Sequence, residues 1–198
     1  ILNIYYMNKE YILKNSLPGS NAKYSDSRIL FTKFDMSGLD DFHEYSTNSE
    51  FFRYLEFNPH NKLSDSIEYI NKVRDRISNG YQGGHAMYWF LKLRETKKVV
   101  GSMAIVGIDF NTGIGWIGKG LSPVYWGKGY MSEAMDMYLD FCRHTLDLKE
   151  INSFTRHDNS PNIRLMKKHG FNIVRELKSH YKDTSGVFHN AVQMSLTL

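Results

Sequence analysis

Between Tyr125 and Met135 the chain reads YWGKGYMSEAM, two glycines around a lysine that run straight into a helical pattern. Met131, Ala134, Met135, Tyr138, Leu139, Cys142 and Leu146 recur at three- and four-residue steps, which predicts a helix from Met131 to about Leu146 with one buried stripe. A helix start leaves N–H groups without internal partners and gathers partial positive charge. Gly127 and Gly129 free the preceding turn to aim more N–H groups the same way, and Lys128 adds a full charge. Such a cradle suits phosphate, although a turn that merely happens to be glycine-rich would contain the same residues. The spacing is neither the G-x-G-x-x-G dinucleotide fingerprint nor a P-loop.

At 198 residues the chain fits one domain that can bury a core without disulfides or a metal. With 41% hydrophobic and 23% charged residues, wholesale disorder is not expected. A net charge of +4 and a pI near 9.0 suit an anionic ligand but are too mild to imply nucleic acid. The single cysteine, Cys142, excludes an intramolecular disulfide and any cysteine-based metal cluster, and its place in the helical stripe reads as core. No metal site is expected. Nothing approaches the ~20 apolar residues of a membrane-spanning helix. The opening ILNIYYMNKEYILK lacks the basic start, apolar centre and cleavage site of a signal peptide, so a cytoplasmic protein is the expectation.

NSLPGSNAKYSDS, Asn15 to Ser27, is the most loop-like segment and separates an expected N-terminal tail, 1–27, from the body, 28–198. RILFTKF alternates as a strand. SGLDDFHEYSTN and SEFFRYLEF read as short helices capped by Ser37 and Ser49. LSDSIEYINKVRDRISNG predicts a longer helix, with Leu63, Ile67, Ile70, Val73 and Ile77 on one face and Gly80 at its end. Three strands follow, AMYWFLKLRE, KVVGSMAIVGID and GIGWIGKGL, the first two joined through a TKK turn. After the Met131 helix come a strand, EINSFTRH, and a helix, SPNIRLMKKHG, with Ser160 as cap, Pro161 in its first turn and Gly170 as its stop. Two strands, FNIVRELKSHY and VFHNAVQMSLTL, close the chain around the turn KDTSG. This order predicts an α/β (α+β) domain, a mixed sheet with helices on its faces.

Trp126-Gly127-Lys128-Gly129-Tyr130-Met131, read together with NSPNIRLMKKHGF from Asn159 to Phe171, resembles the GNAT superfamily of acyl-CoA-dependent N-acyltransferases. That family holds the CoA pyrophosphate with Gln/Arg-x-x-Gly-x-Gly/Ala at a strand–helix junction, and its second signature runs from Asn-x-x-Ser/Ala to Gly-Phe. YWGKGYMSEA is most similar to the branch containing ribosomal-protein N-terminal acetyltransferases, and the element order matches from Arg28 to Leu198. The resemblance implies a mostly antiparallel sheet, splayed between the strand ending near Leu121 and the strand ending near Asp158. It implies acetyl-CoA as co-substrate, bound by Gly120, Leu121, Ser122, Trp126, Gly127, Lys128, Gly129, Tyr130, Met131, Ser132, Asn159 and Asn162. Pantetheine would run along Gly120 to Pro123, where backbone N–H groups would also stabilise an oxyanion. Gly118 and Gly120 suit a backbone that is approached closely, or mark a bulge.

Acyl transfer to an amine needs a deprotonated nitrogen, a stabilised oxyanion and a departing thiolate. An alkyl ammonium titrates near ~10, so a base or a water chain must help. The resemblance implies where acid and base should lie, and the chain departs there. Met166 stands where some relatives carry a tyrosine acid, Asn162 where others carry serine, and Phe154 where others carry a glutamate base. The Asn162 amide can still donate to the leaving sulfur. Candidates that remain at the cleft are His157 and Asp158 at a strand end, Glu56 in YLEFNPH and Tyr181 in SHYKD, the last as the proton donor that Met166 is not. His157 reads equally as a surface residue and Glu56 as a solvated carboxylate. Glu133 reads as a complement to the helix dipole.

FFRYLEFNPHNKLSD and SHYKDTSGVFHN should wall the acceptor site, and neither is strongly acidic, which argues against a polyamine. A protein N-terminus, an amino sugar or an aminoglycoside-like amine remains, and fold-level analogy does not choose among them. Two further readings stand beside this one. The missing acid and base favour a CoA-binding module without catalysis. An acetyltransferase acting on aminoacyl-tRNA is disfavoured, because Lys and Arg are dispersed and cluster only in RLMKKH. The closing strand is open as an edge or as a dimer interface.

Overall fold

The computed structural model describes residues 12, 15–79 and 85–198, so the expectations for the opening stretch and for Gly80 lie outside the described residues. Strands β1 (Ile29–Lys33), β2 (His85–Leu93), β3 (Val99–Asp109), β4 (Ile114–Leu121), β5 (Glu150–Arg156), β6 (Asn172–Lys182) and β7 (Phe188–Thr197) form one sheet in the order β1-β2-β3-β4-β5-β7-β6. Helices α1 (Leu39–Ser46), α2 (Ser49–Phe52), α3 (Leu63–Asn79), α4 (Tyr130–His144) and α5 (Ser160–Lys168) accompany it. Every neighbouring pair is antiparallel except β4 and β5, which are parallel and joined by the α4 crossover.

The parallel pair is short. It registers only Ile114 with Glu150, Gly115 with Ile151 and Trp116 with Asn152, after which the two strands part. The splay expected from the resemblance therefore opens beyond Trp116. Alternation along β4 sends Gly115, Ile117, Lys119 and Leu121 to one face and Trp116, Gly118 and Gly120 to the other. On the first face Ile117, Leu121 and Ile151 pack with Met135, Tyr138 and Cys142 of α4 and Met166 of α5. On the second, Phe34, Phe90 and Val99 pack with Phe42 and Tyr45 of α1 and Ile70 and Val73 of α3.

The helical stripe of α4 is buried as its spacing predicts, from Ala134 to Cys142. That of α3 holds at Ile70 and Val73, which are buried, and at Ile77, which packs against the same core, but at the start of the helix Ser66 is buried while Leu63 is 44% exposed. Ser66 can be buried because its hydroxyl is bonded to His43 Nδ1 and His60 Nδ1, at 2.9 and 2.8 Å. The caps also differ from expectation. Asp35 accepts from Ser37 N–H in the 3-10 turn before α1, Asn48 caps α2, and Asn159, not Ser160, caps α5. Each is an Asp or Asn lying ahead of the expected serine, and its side chain reaches the same unpaired amides. The expected 49–57 helix stops after Phe52, and Pro59 further on disfavours continuation. The closing strand β7 is interior, and β6 forms the sheet edge.

Residues before β1 lie along α4. Asn21 and Lys23 bond Asp140, Tyr24 donates to the Asp136 carbonyl, and Ser27 donates to Glu133.

Candidate active site

Beyond β4 the chain folds back on itself before α4 begins. Ser122 N–H donates to the Val100 carbonyl at 2.7 Å, Pro123–Tyr125 form a 3-10 turn, and the Trp126 indole donates to the Leu121 carbonyl at 2.7 Å. Gly127 and Gly129 then take φ of +72° and +82°, the left-handed region that glycine enters without steric cost. The backbone N–H groups from Gly127 to Ser132 have no acceptor among the described residues. A side chain built on Gly127 would meet nothing within 4 Å, so the turn borders open space there, whereas one built on Gly129 would lie 3.4 Å from the Arg28 guanidinium. Lys128 is exposed, its ammonium 5.4 Å from the Tyr125 ring centroid.

Arg28 braces this turn from β1's end of the sheet. Its guanidinium donates to the Lys128 carbonyl at 3.2 Å, lies 4.5 Å over the Tyr130 ring and pairs with Glu133 at 2.9 Å. Glu133 also accepts from the Ser27 hydroxyl and from the backbone N–H groups of Arg28 and Ile29. Burial pushes the Glu133 carboxyl up, but the bonds from Ser27 and Arg28 win and hold it below the usual carboxylate range. Glu133 thus ties α4 to β1.

The end of α5 meets the start of α4. The Ser132 hydroxyl lies 2.8 Å from Lys168 Nζ, which donates to it, and 3.0 Å from His169 Nε2, whose Nδ1 is 3.3 Å from Asp136. Burial lowers the His169 pKa, as do the charges of Lys168 and Lys119, against the pull of Asp136. At the other end of α5, the Asn159 side chain accepts from Asn162 N–H at 3.3 Å, and Asn162 is half-buried. Met166 is fully buried, and its sulfur lies 3.1 Å from Lys119 Nζ. Burial pushes the Lys119 ammonium down to about 8.

The opposite face of the splay is aromatic. Trp116 and Phe154 stack with centroids 4.8 Å apart across the fork, and Phe154 lies 5.2 Å from the His180 ring. The position of a relative's glutamate base is thus part of an apolar stack. Gly120 has a packing reason of its own: a Cβ there would come within 2.7 Å of the Phe51 ring. No register break lies at Gly118 or Gly120; the break in the β3–β4 ladder falls between Ile105 and Gly107.

The structure separates the four acid–base candidates. Asp158 is bound by Arg156 at 2.9 and 2.5 Å, and that partner holds its carboxyl below the usual range. Arg156 also lies 5.5 Å from the Tyr54 ring and donates to the Arg53 carbonyl, joining β5 to the segment after α2. His157 is exposed, its backbone N–H bonded to Asn190. Glu56 is exposed; burial first, then the Glu56 charge, push the Tyr181 hydroxyl up to about 12. Asp183, in the β6–β7 turn, is bonded to His189 at 2.7 Å. A cavity of about 560 Å³ bounded by Lys33, Asp35, Arg74 and Tyr88 lies elsewhere and contains none of the expected site residues. Sequence reasoning missed Lys119, Lys168 and His169. Lys119 left a signal, an ionisable residue in phase with the inward Ile117 and Leu121.

Residues 28–172 match the family described as Acetyltransferase (GNAT) domain. The chain therefore belongs to the GNAT family of N-acetyltransferases. It is 26% identical over 155 residues to the uncharacterized N-acetyltransferase p20 of Bacillus licheniformis, covering 78% of this chain and 85% of that protein. Among solved structures, the microcin C7 self-immunity acetyltransferase MccE, bound to acetyl-CoA and AMP, superposes with a TM-score of 0.78 at 17% identity, covering 88% of this chain and 95% of that one. RimL, the ribosomal L7/L12 alpha-N-protein acetyltransferase, in complex with coenzyme A, superposes with a TM-score of 0.77 at 15% identity, covering 87% and 96%. Among the described residues no helix is long and apolar enough to cross a membrane, and no group of three or more His, Cys, Asp or Glu could hold a metal ion.

Proposed function

We propose that the protein transfers the acetyl group of acetyl-CoA to a primary amine by direct attack, with 28–198 as its catalytic domain. The observation that carries this reading is the row of amides from Gly127 to Ser132, without acceptors among the described residues at the positive end of α4, with open space at Gly127. These amides, with Lys128 and the Ser132 hydroxyl, hold the pyrophosphate. Trp126, Tyr130 and Met131 shape the turn. Pantetheine runs along the Gly120–Ser122 end of β4, where β5 has departed. The Ser122 N–H and the Leu121 carbonyl are already bonded to Val100 and Trp126, so it does not pair with those two groups. Asn159 caps the start of α5 by accepting from the Asn162 N–H, and the Asn162 side-chain amide is the donor offered to the leaving sulfur.

The acceptor enters over the aromatic face. Asp158 is already paired with Arg156, and Asp183 is hydrogen-bonded to His189 and to the Ser185 hydroxyl, which leaves Glu56 as the carboxylate available to an incoming amine. One such carboxylate suits a single ammonium group, as on a protein N-terminus or an amino sugar, better than a polyamine. Glu56 takes the proton of that amine, with Tyr181 beside it. His157, exposed and outside this pair, is assigned no step.

The test is a thiol-release assay with acetyl-CoA and a panel of peptides with free N-termini, amino sugars, aminoglycosides, spermidine and aminoacyl-tRNA. Turnover of a peptide or amino sugar, lost in Glu56→Gln, is expected. Acetyl-CoA binding with no turnover of any amine would point to a non-catalytic module, and a preference for spermidine would overturn the acceptor assignment.

A further inference from the structure

We propose that Lys119 is a catalytic residue that donates a proton to the departing CoA thiolate, reaching the sulfur from β4 rather than from α5. The inference rests on acetyl-CoA binding in the splay as assigned above. Three observations carry it. Lys119 lies three positions beyond Trp116, the last β4 residue paired to β5, and so on the stretch of β4 that borders the opening. Its side chain follows Ile117 and Leu121 onto the face of α4 and α5, where its ammonium lies 3.1 Å from the sulfur of Met166. Among the described residues no carboxylate pairs with it.

A half-buried cation whose one partner is a thioether is poorly compensated, because a neutral sulfur is a weak acceptor. Groups that break the burial rules in this way concentrate where chemistry is done. Met166 cannot donate a proton, whereas the ammonium beside its sulfur, reaching over from the facing strand, can. A thiolate forming there would replace a weak acceptor by an anionic one.

The step balances as follows. The acceptor nitrogen forms a bond to the acetyl carbon and the carbon–sulfur bond breaks, its electron pair passing to sulfur. An N–H proton of Lys119 moves to that sulfur, giving CoA thiol and a neutral lysine that water reprotonates. The proton lost by the acceptor amine leaves by the separate route through Glu56. Burial keeps Lys119 able to change state near neutral pH. The titratable groups packed on this face are Tyr138 and Cys142 of α4, which burial keeps neutral. His169 and Lys168 of the α5 end and Asp136 of α4 lie beyond them, linked through Ser132.

The product complex tests the proposal without an identified acceptor. Coenzyme A is bound to the wild type, Lys119→Met and Lys119→Arg, its affinity measured by calorimetry, and its thiol titrated by thiolate absorbance. The wild type is expected to lower the thiol pKa by about 1 unit or more relative to free CoA, as an opposite charge in contact does. Lys119→Met should abolish that shift with little change in CoA affinity, and Lys119→Arg should keep it. Met suits the apolar surroundings, and circular dichroism checks its fold. An identical thiol pKa in wild type and Lys119→Met, with CoA bound to both, overturns the proposal. So does acetylation of Lys119 found by mass spectrometry after incubation with acetyl-CoA, which would make the amine a nucleophile instead of a donor. Failure of the folded wild type to bind CoA at all overturns the acetyltransferase reading itself.

Discussion

The two ends of the cleft are made of different material. At the α4 end, the glycine turn presents main-chain amides, held by Arg28 and Glu133 from outside the opening. At the far end, side chains are presented instead: Tyr54 and Glu56 from the segment after α2, Arg156 from β5, Tyr181 from β6, and the Trp116–Phe154 stack. A phosphate asks the same of every protein, several donors at a helix start, so backbone geometry suffices. An amine acceptor asks for a particular shape and charge, which only side chains supply. The first end is therefore fixed by conformation and the second by residue choice.

Substitutions should affect the two ends unequally. The largest effect is expected at Gly127. Gly127→Asp places a carboxylate in the open space beside the amides, and Asp tolerates positive φ better than most residues. The dissociation constant for acetyl-CoA should rise more than about tenfold, roughly 1.4 kcal/mol or more, while Gly127→Asn loses much less. Equal losses in the two variants would show that conformation, not charge, limits this end. Gly120→Val comes next. Its side chain must displace Phe51, so destabilisation of about 1–3 kcal/mol is expected in chemical denaturation, the usual cost of overpacking.

A smaller effect concerns pH. Burial lowers the pKa of His60 and of His169, so the fold favours their neutral forms. Their contribution is present above the ordinary histidine value and is lost as pH falls through the lower folded values. Thermal stability should therefore decline from pH 7 toward pH 5, and His60→Gln or His169→Gln should flatten that decline. The smallest effect is expected at Asp158. Its pairing with Arg156 is exposed on the aspartate side, and exposed pairs contribute at most about 1 kcal/mol. Asp158→Asn should change turnover by less than about fivefold; a collapse would return Asp158 to the chemistry.

The same contrast explains what was legible in the sequence. The stripe of α4, the alternation of β1 and the Gly127–Gly129 turn follow from local periodicity and backbone freedom, and each lies where spacing put it. The caps shifted because Asp35, Asn48 and Asn159 reach the same amides as the serines beside them, a choice that local pattern does not resolve. The inward place of Ser66 in the first turns of α3 depended on its finding two histidines from outside its own helix. Asp158 looked free because Arg156, two residues before it, has no sequence mark of partnership. Lys119 escaped because its meaning lies in Met166, 47 residues away.

The central claim is that the glycine turn recognises the anionic half of acetyl-CoA. Calorimetric titration of the wild type with acetyl-CoA and with acetylpantetheine, which lacks the nucleotide and pyrophosphate, tests it most directly. Binding of acetyl-CoA at least tenfold tighter than acetylpantetheine, with the difference lost in Gly127→Asp, is the predicted result. Equal affinity for the two, or none for either, would contradict it.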